Sequence, residues 1–411
     1  MRKNYDVLII GAGIIGLNTA HQLARRSKLK IAVLEKGRAV GEGSSGASSA
    51  ICRHLYTHDE MICMARDGIN LYRDWSDYLG LPDPRAGFQN TGVLWLGNEH
   101  QIWEASTAQR LQKLDIPAEI IDADELSRRF PAINPSRSTP DFESGDVPDG
   151  APAEAHLFEP SGGYMDPQYA MEDLLDQVIA AGVDVLFKTE VQQLILEGDQ
   201  VKGAIDQHQR RYSSATTLCT TGPWTTNLLK TLGIHGQWPL VPTRIQVLYI
   251  DRPPELTGPI PVCADLASGI YFRPQNQQLI IGSTLPEDDL EAVPNPDDFN
   301  RLADDEFTMY KMHALHHRLP GLPYRGKIGS YAGLYTVNTA DMHPILGPTP
   351  VDGLHIAAGF SGHGFKIAPA VGGLLARLLT GEAQADDTQV PIEFFSWNRV
   401  PLELDVKSVL A

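Results

Sequence analysis

Apolar and polar positions in this chain follow two periods, and their order predicts an α/β protein. Val7 to Ile10 is an unbroken apolar run between Asp6 and Gly11, the pattern of a short parallel strand buried on both faces. Beyond Gly16, Leu17, Ala20, Leu23 and Ala24 recur at helical spacing, and "KIAVLEKG" then reads as a second strand ending at Glu35. Much later, "RIQVLYI" and "LIIGST" alternate as strands of a sheet with one buried face. Near the C-terminus, small and apolar residues from Ala368 to Leu379 predict a helix. The stretch 138–160, rich in proline, glycine and acid, predicts a surface loop longer than the fold requires. No internal repeat or coiled-coil register interrupts the pattern.

The junction of first strand and first helix carries G-x-G-x-x-G at Gly11, Gly13 and Gly16. Gly11 permits the turn, Gly13 lets backbone approach a pyrophosphate, and Gly16 lets helix and strand pack closely, with the helix N-terminus facing the phosphate charge. Glu35 lies 19 residues beyond Gly16, where an acid accepts hydrogen bonds from a ribose. This predicts dinucleotide binding without separating NAD from FAD. A second Gly-rich stretch, "AAGFSGHGFKIAP" at 357–369, raises the question of whether the two loops hold one ligand.

Composition narrows the choice. With 411 residues the chain accommodates two domains or one large two-lobed unit. A formal net charge of −17 repels phosphate backbones and anionic lipid, so nucleic acid and membrane surfaces are not expected partners. Cys52, Cys63, Cys219 and Cys263 lack metal-type or CxxC spacing, which fits reduced thiols, and no metal site is expected. The N-terminal apolar run is too short and too broken by glycine for a signal peptide or a membrane span. The expected location is cytoplasmic.

After the second strand comes "GRAVGEGSSGASSAICRHLYTHDE" (37–60), small and Gly/Ser-rich where a nicotinamide dehydrogenase continues with strands and helices. From here the chain resembles the flavin-dependent amine oxidoreductases of the D-amino-acid oxidase superfamily, the sarcosine oxidase branch above all. "GGYMDP" (162–167), "LCTTGPWTTNLLKTLG" (218–233), "GIYFRPQNQQLIIGST" (269–284) and the block 333–379 carry the likeness over essentially the whole length. The resemblance implies a Rossmann-like FAD-binding domain interleaved with a mixed-sheet α+β substrate domain. The first takes 1–86, 156–235 and 326–411; the second takes 87–155 and 236–325. It also implies that both Gly-rich loops hold one FAD. The implied contacts come from Gly11, Gly13, Ile14, Ile15 and Gly16, from Glu35 and Lys36, from Gly43, Ser44 and Ser45, from Val191 at the adenine, and from Gly222 and Trp224. Gly359, Gly362, His363, Gly364, Phe365 and Lys366 complete the set at the flavin, with the helix from Ala368 pointing at its pyrimidine edge.

For chemistry, the resemblance implies that Arg53 and Lys366 fix a substrate carboxylate, an Arg fork beside a Lys point charge. Tyr335 stands where oxidases of primary amines tend to carry an arginine, so the expected substrate is an N-methyl amino acid or a cyclic imino acid. One more residue separates Tyr335 from Asp341 than in sarcosine oxidase. Tyr271 and Arg273 are expected to point alternately from a strand, one of them reaching the pocket, and His54 and His363 are candidate bases or packing residues. The branch's thioether cysteine corresponds to Gly333, so FAD is expected to be non-covalent. Its oxygen-activating lysine corresponds to Ile280, which favours a quinone, a dye or a partner protein over oxygen as electron acceptor unless Arg273 or Lys366 substitutes. Two competing readings remain open: a 2-hydroxy-acid dehydrogenase of the same superfamily, and an FAD-binding subunit or assembly factor serving a partner.

Overall fold

The computed structural model describes residues 3–97, 103–136, 141–144, 146, 155–234, 237–254, 256–323 and 326–404. The strand Lys3–Ile10 runs parallel to Ile31–Leu34 on one side and to Arg211–Cys219 on the other. Leu354–Ala358 continues in parallel beyond Arg211–Cys219, and Asp184–Leu186 beyond Ile31–Leu34. The unbroken apolar sequences "VLII" and "IAVL" suit strands covered on both faces, and Leu8, Ile9, Val33 and Leu34 are buried. Among the described residues this sheet has eight strands, completed by Ile345–Pro348, Gln200–Asp206 and Val191–Glu197, each paired antiparallel.

The helix Ile14–Arg26 connects the first two strands and packs against a long C-terminal helix, Gly364–Thr380. That helix starts four residues before the expected Ala368, so Lys366 belongs to its first turn. Its glycine-rich start had disguised this turn. Pro369 sits inside it and cannot donate to the carbonyl of Phe365; the buried Tyr72 hydroxyl donates there instead, at 2.9 Å. A proline that breaks most helices is tolerated because a side chain supplies the missing hydrogen bond.

The second sheet also has eight strands among the described residues, in the order Ile328–Asn338, Leu240–Asp251, Gln278–Ser283, Ile270–Gln275, Val262–Asp265, Val93–Leu96, His156–Glu159, Glu119–Ile121. Val262–Asp265 and Val93–Leu96 run parallel and the other neighbours antiparallel, so the sheet is mixed as expected. One face packs Ile270, Phe272, Leu279 and Ile281 against Phe307 and Leu315 of the helix Asp305–Arg318. Arg318 Nε meets Asp265 Oδ2 at 2.7 Å with both side chains fully buried, fixing that helix to the sheet.

Two expected boundaries move. His156–Glu159 is a buried strand of the second sheet, whereas the sequence placed it at the end of a surface loop and at the start of an FAD-domain segment. A four-residue strand ending in a buried acid gives no readable alternation. Ile328–Asn338 likewise pairs within the second sheet rather than the first. Most of the expected loop, 137–140, 145 and 147–154, lies outside the described residues.

Candidate active site

The parallel strands end together, and their following loops enclose a cavity of about 510 Å³. Gly11 has φ +107°, and a Cβ there would meet the Thr220 carbonyl oxygen at 2.6 Å. At Gly16 a Cβ would meet the Gly11 oxygen at 2.0 Å, so the helix reaches the strand only because both are glycine. The N-terminus of Ile14–Arg26 has no side-chain cap from Gly13; the Ile14 N–H donates instead to Ser45 Oγ at 3.0 Å. Glu35 Oε2 accepts from the Ala12 N–H at 2.8 Å and Oε1 from the Gly37 N–H at 2.7 Å, so the acid ties both loops together at the rim. The buried Ser44 hydroxyl has no hydrogen-bond partner among the described residues although it lines the cavity. A helix N-terminus, glycine backbone, a ribose-type acid and an unsatisfied hydroxyl together fit a dinucleotide.

Of the residues expected to contact a cofactor, Gly11, Gly13, Glu35, Lys36, Gly43, Ser44, Ser45, Val191, Gly222 and Trp224 line this cavity. Ile14, Ile15, Gly16, Gly359, His363 and Gly364 do not; they shape or pack the loops around it. Asp297 and Arg301, from the segment preceding Asp305–Arg318, line it without having been foreseen. Asp297 pairs with Lys36 and accepts from Trp224 Nε1 at 3.1 Å, while Lys36 Nζ lies 3.8 Å from the Trp224 ring centre. Nothing local marks such a strap, because its partners are 261 and 73 residues away.

A second, smaller cavity of about 70 Å³ lies under the other Gly-rich loop. Arg53, Tyr271, Tyr335, Gly362, Phe365 and Lys366 line it, together with Trp95 and Asp289. Gly362 has φ +87°, and a Cβ there would strike the Tyr335 ring at 2.7 Å, so loop and phenol are in direct contact. The Arg53 guanidinium lies over Tyr56 at 4.2 Å and near Trp95 at 5.6 Å, and it donates to the Leu55 carbonyl. Lys366 is buried, its Nζ 3.4 Å from the Gly362 carbonyl and 5.9 Å from the Tyr56 ring centre; burial first, then neighbouring Arg53, lower its ammonium to about 7. Burial pushes the Tyr271 and Tyr335 phenols up, so both stay neutral hydrogen-bonding groups.

Three expectations need correction. Tyr271 and Arg273 are two positions apart on one strand and share a face, because alternation puts i and i+2 together. Tyr271 lines the cavity, whereas Arg273 turns beneath the Gly/Ser loop, donating to the Ser49 carbonyl at 2.6 Å, to the Pro274 carbonyl at 2.8 Å and to Gln275. His54 does not reach either described cavity. Its Nδ1 lies 2.8 Å from Glu159 Oε2, and Trp95 Nε1 donates to Oε1 of that buried acid at 2.7 Å, so His54 anchors the segment that carries Arg53 just beyond the strand Ile51–Cys52. His363 is buried against Tyr56, 5.0 Å between ring centres, and lines neither cavity. Glu159 itself was missed because its partners lie 64 to 105 residues away.

Comparison with known proteins places the chain. The family model described as FAD dependent oxidoreductase, DAO, matches residues 6–378. The chain is 30% identical to the peroxisomal sarcosine oxidase of Mus musculus, over 91% of this chain and 92% of that protein. It is 26% identical to the monomeric sarcosine oxidase of Streptomyces avermitilis, over 97% and 99% respectively. In three dimensions it is similar to L-proline dehydrogenase from P. horikoshii, with TM-score 0.80 and 23% identity over 96% of this chain and 97% of that one.

The Lys366 environment yields a prediction. A bound carboxylate stabilises the ammonium form, so acetate should bind most tightly below pH 7 and weaken as Lys366 deprotonates, by up to about tenfold per pH unit. Burial lifts the neighbouring Cys52 and Tyr56 to about 12, outside that window, whereas Asp289 of the same cavity, raised to about 7, ionises within it and weakens acetate binding in the same direction. Calorimetric titration from pH 6 to 9 should show this slope in the native protein and a clearly shallower one, left by Asp289, in Lys366→Met; a flat native profile contradicts it.

Proposed function

The chain belongs to the FAD dependent oxidoreductase family, and on that premise we propose that it oxidises the CH–N bond of a small carboxylated amine, an N-methyl or cyclic imino acid. The observation that carries this reading is the pairing of Arg53 and Lys366 in one small, dry cavity beneath the Gly362 loop. Two desolvated cations side by side suit a carboxylate. Bound FAD supplies the two-electron oxidant. Gly11, Gly13, Ser44, Ser45 and Glu35 would hold its dinucleotide portion, and the Gly362 loop its ring. The protein's own work is orientation: Arg53 and Lys366 hold the carboxylate, Tyr335 and Tyr271 wall the amine side, and Phe365 excludes water. Tyr335 leaves no third cation to clamp a primary amino acid, which favours substituted amines. The names of the sarcosine oxidase relatives agree with this choice.

Anaerobic bleaching of the flavin by sarcosine, N-methyl amino acids, proline, D-amino acids and 2-hydroxy acids tests the reading. Bleaching by substituted amines supports it, bleaching by hydroxy acids alone replaces it with the dehydrogenase alternative, and bleaching by none leaves a cofactor-binding subunit. Arg53→Met and Lys366→Met should each weaken kcat/KM for carboxylated amines by about 2–5 kcal/mol while retaining FAD, because each strands its partner charge. Unchanged kinetics in both variants removes the clamp.

FAD attachment follows from the cysteines. None lines either described cavity, and at Gly333, the branch's attachment position, a Cβ would crowd Ala47 Cβ at 2.7 Å. Heat or acid should release intact FAD; yellow colour retained by the precipitate contradicts non-covalent binding.

The acceptor turns on Ile280. It pairs directly with Arg273, and the Arg273 charge is screened by the Ser49 and Pro274 carbonyls. With no free cation on that strand face, reduced enzyme should reoxidise more slowly in air-saturated buffer than with a quinone or dye, and Ile280→Lys should speed the reaction with oxygen. Air reoxidation as fast as turnover makes the protein an oxidase.

A further inference from the structure

The smaller cavity holds one carboxylate. Asp289 ends the short turn Pro286–Asp289 between the strand Gln278–Ser283 and the second sheet's covering helix. Its Oδ2 is shielded from solvent and has no hydrogen-bond partner among the described residues. It lines the same cavity as Arg53, Lys366, Tyr271 and Tyr335. Natural structures seldom leave a buried carboxylate oxygen unpaired, so this oxygen is suited to accept from a donor that enters the cavity. Lys311 does not fill the place: it is committed to Asp288 at 2.6 Å and to the Gly269 carbonyl at 3.0 Å.

We propose that Asp289 is the proton acceptor for the substrate amine. This rests on the amine-oxidising reading given above. A zwitterionic amino acid brings two charges into the cavity, and the lining supplies a match for each. Its carboxylate takes Arg53 and Lys366, and its ammonium donates to Asp289 Oδ2. All of these groups line one cavity of about 70 Å³, so a single small substrate would meet both signs of charge there. The step balances simply. An N–H bond of the ammonium breaks with its electron pair staying on nitrogen and the proton forms an O–H bond on Asp289, which leaves the amine neutral for the two-electron oxidation that bound FAD would supply.

The surroundings fit a proton that must come and go. Burial, with Asp288 beside it and against the pull of Lys311, raises the Asp289 carboxyl to about 7. The other titratable groups facing it are Tyr271 and Tyr335, whose raised phenols stay neutral, and Arg53 and Lys366, whose positive forms the substrate carboxylate stabilises. Asp289 is therefore the one group lining this cavity, among the described residues, that is both anionic and basic near neutral pH. The residue as a whole is only half-buried, which gives the accepted proton a route to water.

The test is anaerobic stopped-flow reduction of the holoenzyme by sarcosine or L-proline from pH 6 to 9, with acetate binding as a check on the cavity. In the native enzyme the reduction rate should rise with pH through an acid limb near 7. Asp289→Asn should bind acetate at least as tightly as the native enzyme, lose that limb and slow by about 10²–10⁴-fold. Asp289→Glu should keep a displaced limb, and an N-fluoroalkyl glycine, whose weakly basic amine binds already neutral, should reduce the Asn variant within a few-fold of native. Asn and Glu variants that both keep the native rate and limb overturn the inference and leave the proposed function standing. A native enzyme reduced by no carboxylated amine overturns both.

Discussion

Parallel pairing of a few strands fixes everything that follows in this molecule. Ile10 lies in register with Leu34 on one side and Cys219 on the other, and Cys219 with Ile356. Four chain segments that are far apart in sequence therefore leave the sheet at one edge. The glycine turn, the Glu35 corner, the Thr220–Trp224 turn and the Gly359–Gly362 loop meet there because register gives them no alternative. The close approach at Gly11 and Gly16 then brings a helix N-terminus to the same edge. A ligand cradle with phosphate-seeking, ribose-seeking and ring-covering portions is the geometric result.

The second sheet contributes a different constraint, an electrostatic one. Its face away from the Phe272 core carries Tyr271 and closes over Arg53 and Lys366, taking two cations out of water. Such charges are costly unless something answers them. Aromatic faces and one buried histidine–glutamate pair hold Arg53 in place, while Lys366 is left poorly partnered and weakly basic for a lysine. A carboxylate entering the cavity relieves that strain, and Asp289 offers the complementary charge to an amine. The cavity is thus polarised for a zwitterion before one arrives.

The sequence made the first half of this account legible and obscured much of the second. The Gly11–Gly16 motif, the two strands and Glu35 could be read because their physics is local: turn, close approach and helix terminus all lie within a few residues. Arg53, Lys366 and Tyr335 could be placed only through resemblance to a family, since nothing nearby in sequence says that a lone arginine and a lysine more than three hundred positions later share a cavity. Asp289, Asp297 and Glu159 escaped altogether. Each looks like an ordinary surface acid, and only packing of sheet against sheet buries it or gives it partners. The start of the C-terminal helix was misjudged for a related reason: it begins straight out of a glycine-rich loop and meets a proline by its second turn, and Tyr72, remote in sequence, supplies the missing hydrogen bond.

The central claim is that the two cavities serve one reaction, with the carboxylate clamp next to the flavin. The visible absorption spectrum of the holoprotein tests this most directly. Titration with acetate, which binds the clamp but cannot be oxidised, should shift the flavin bands saturably in the native protein and leave them unmoved in Lys366→Met. Acetate binding that is measurable by calorimetry yet silent in the flavin spectrum would contradict the account.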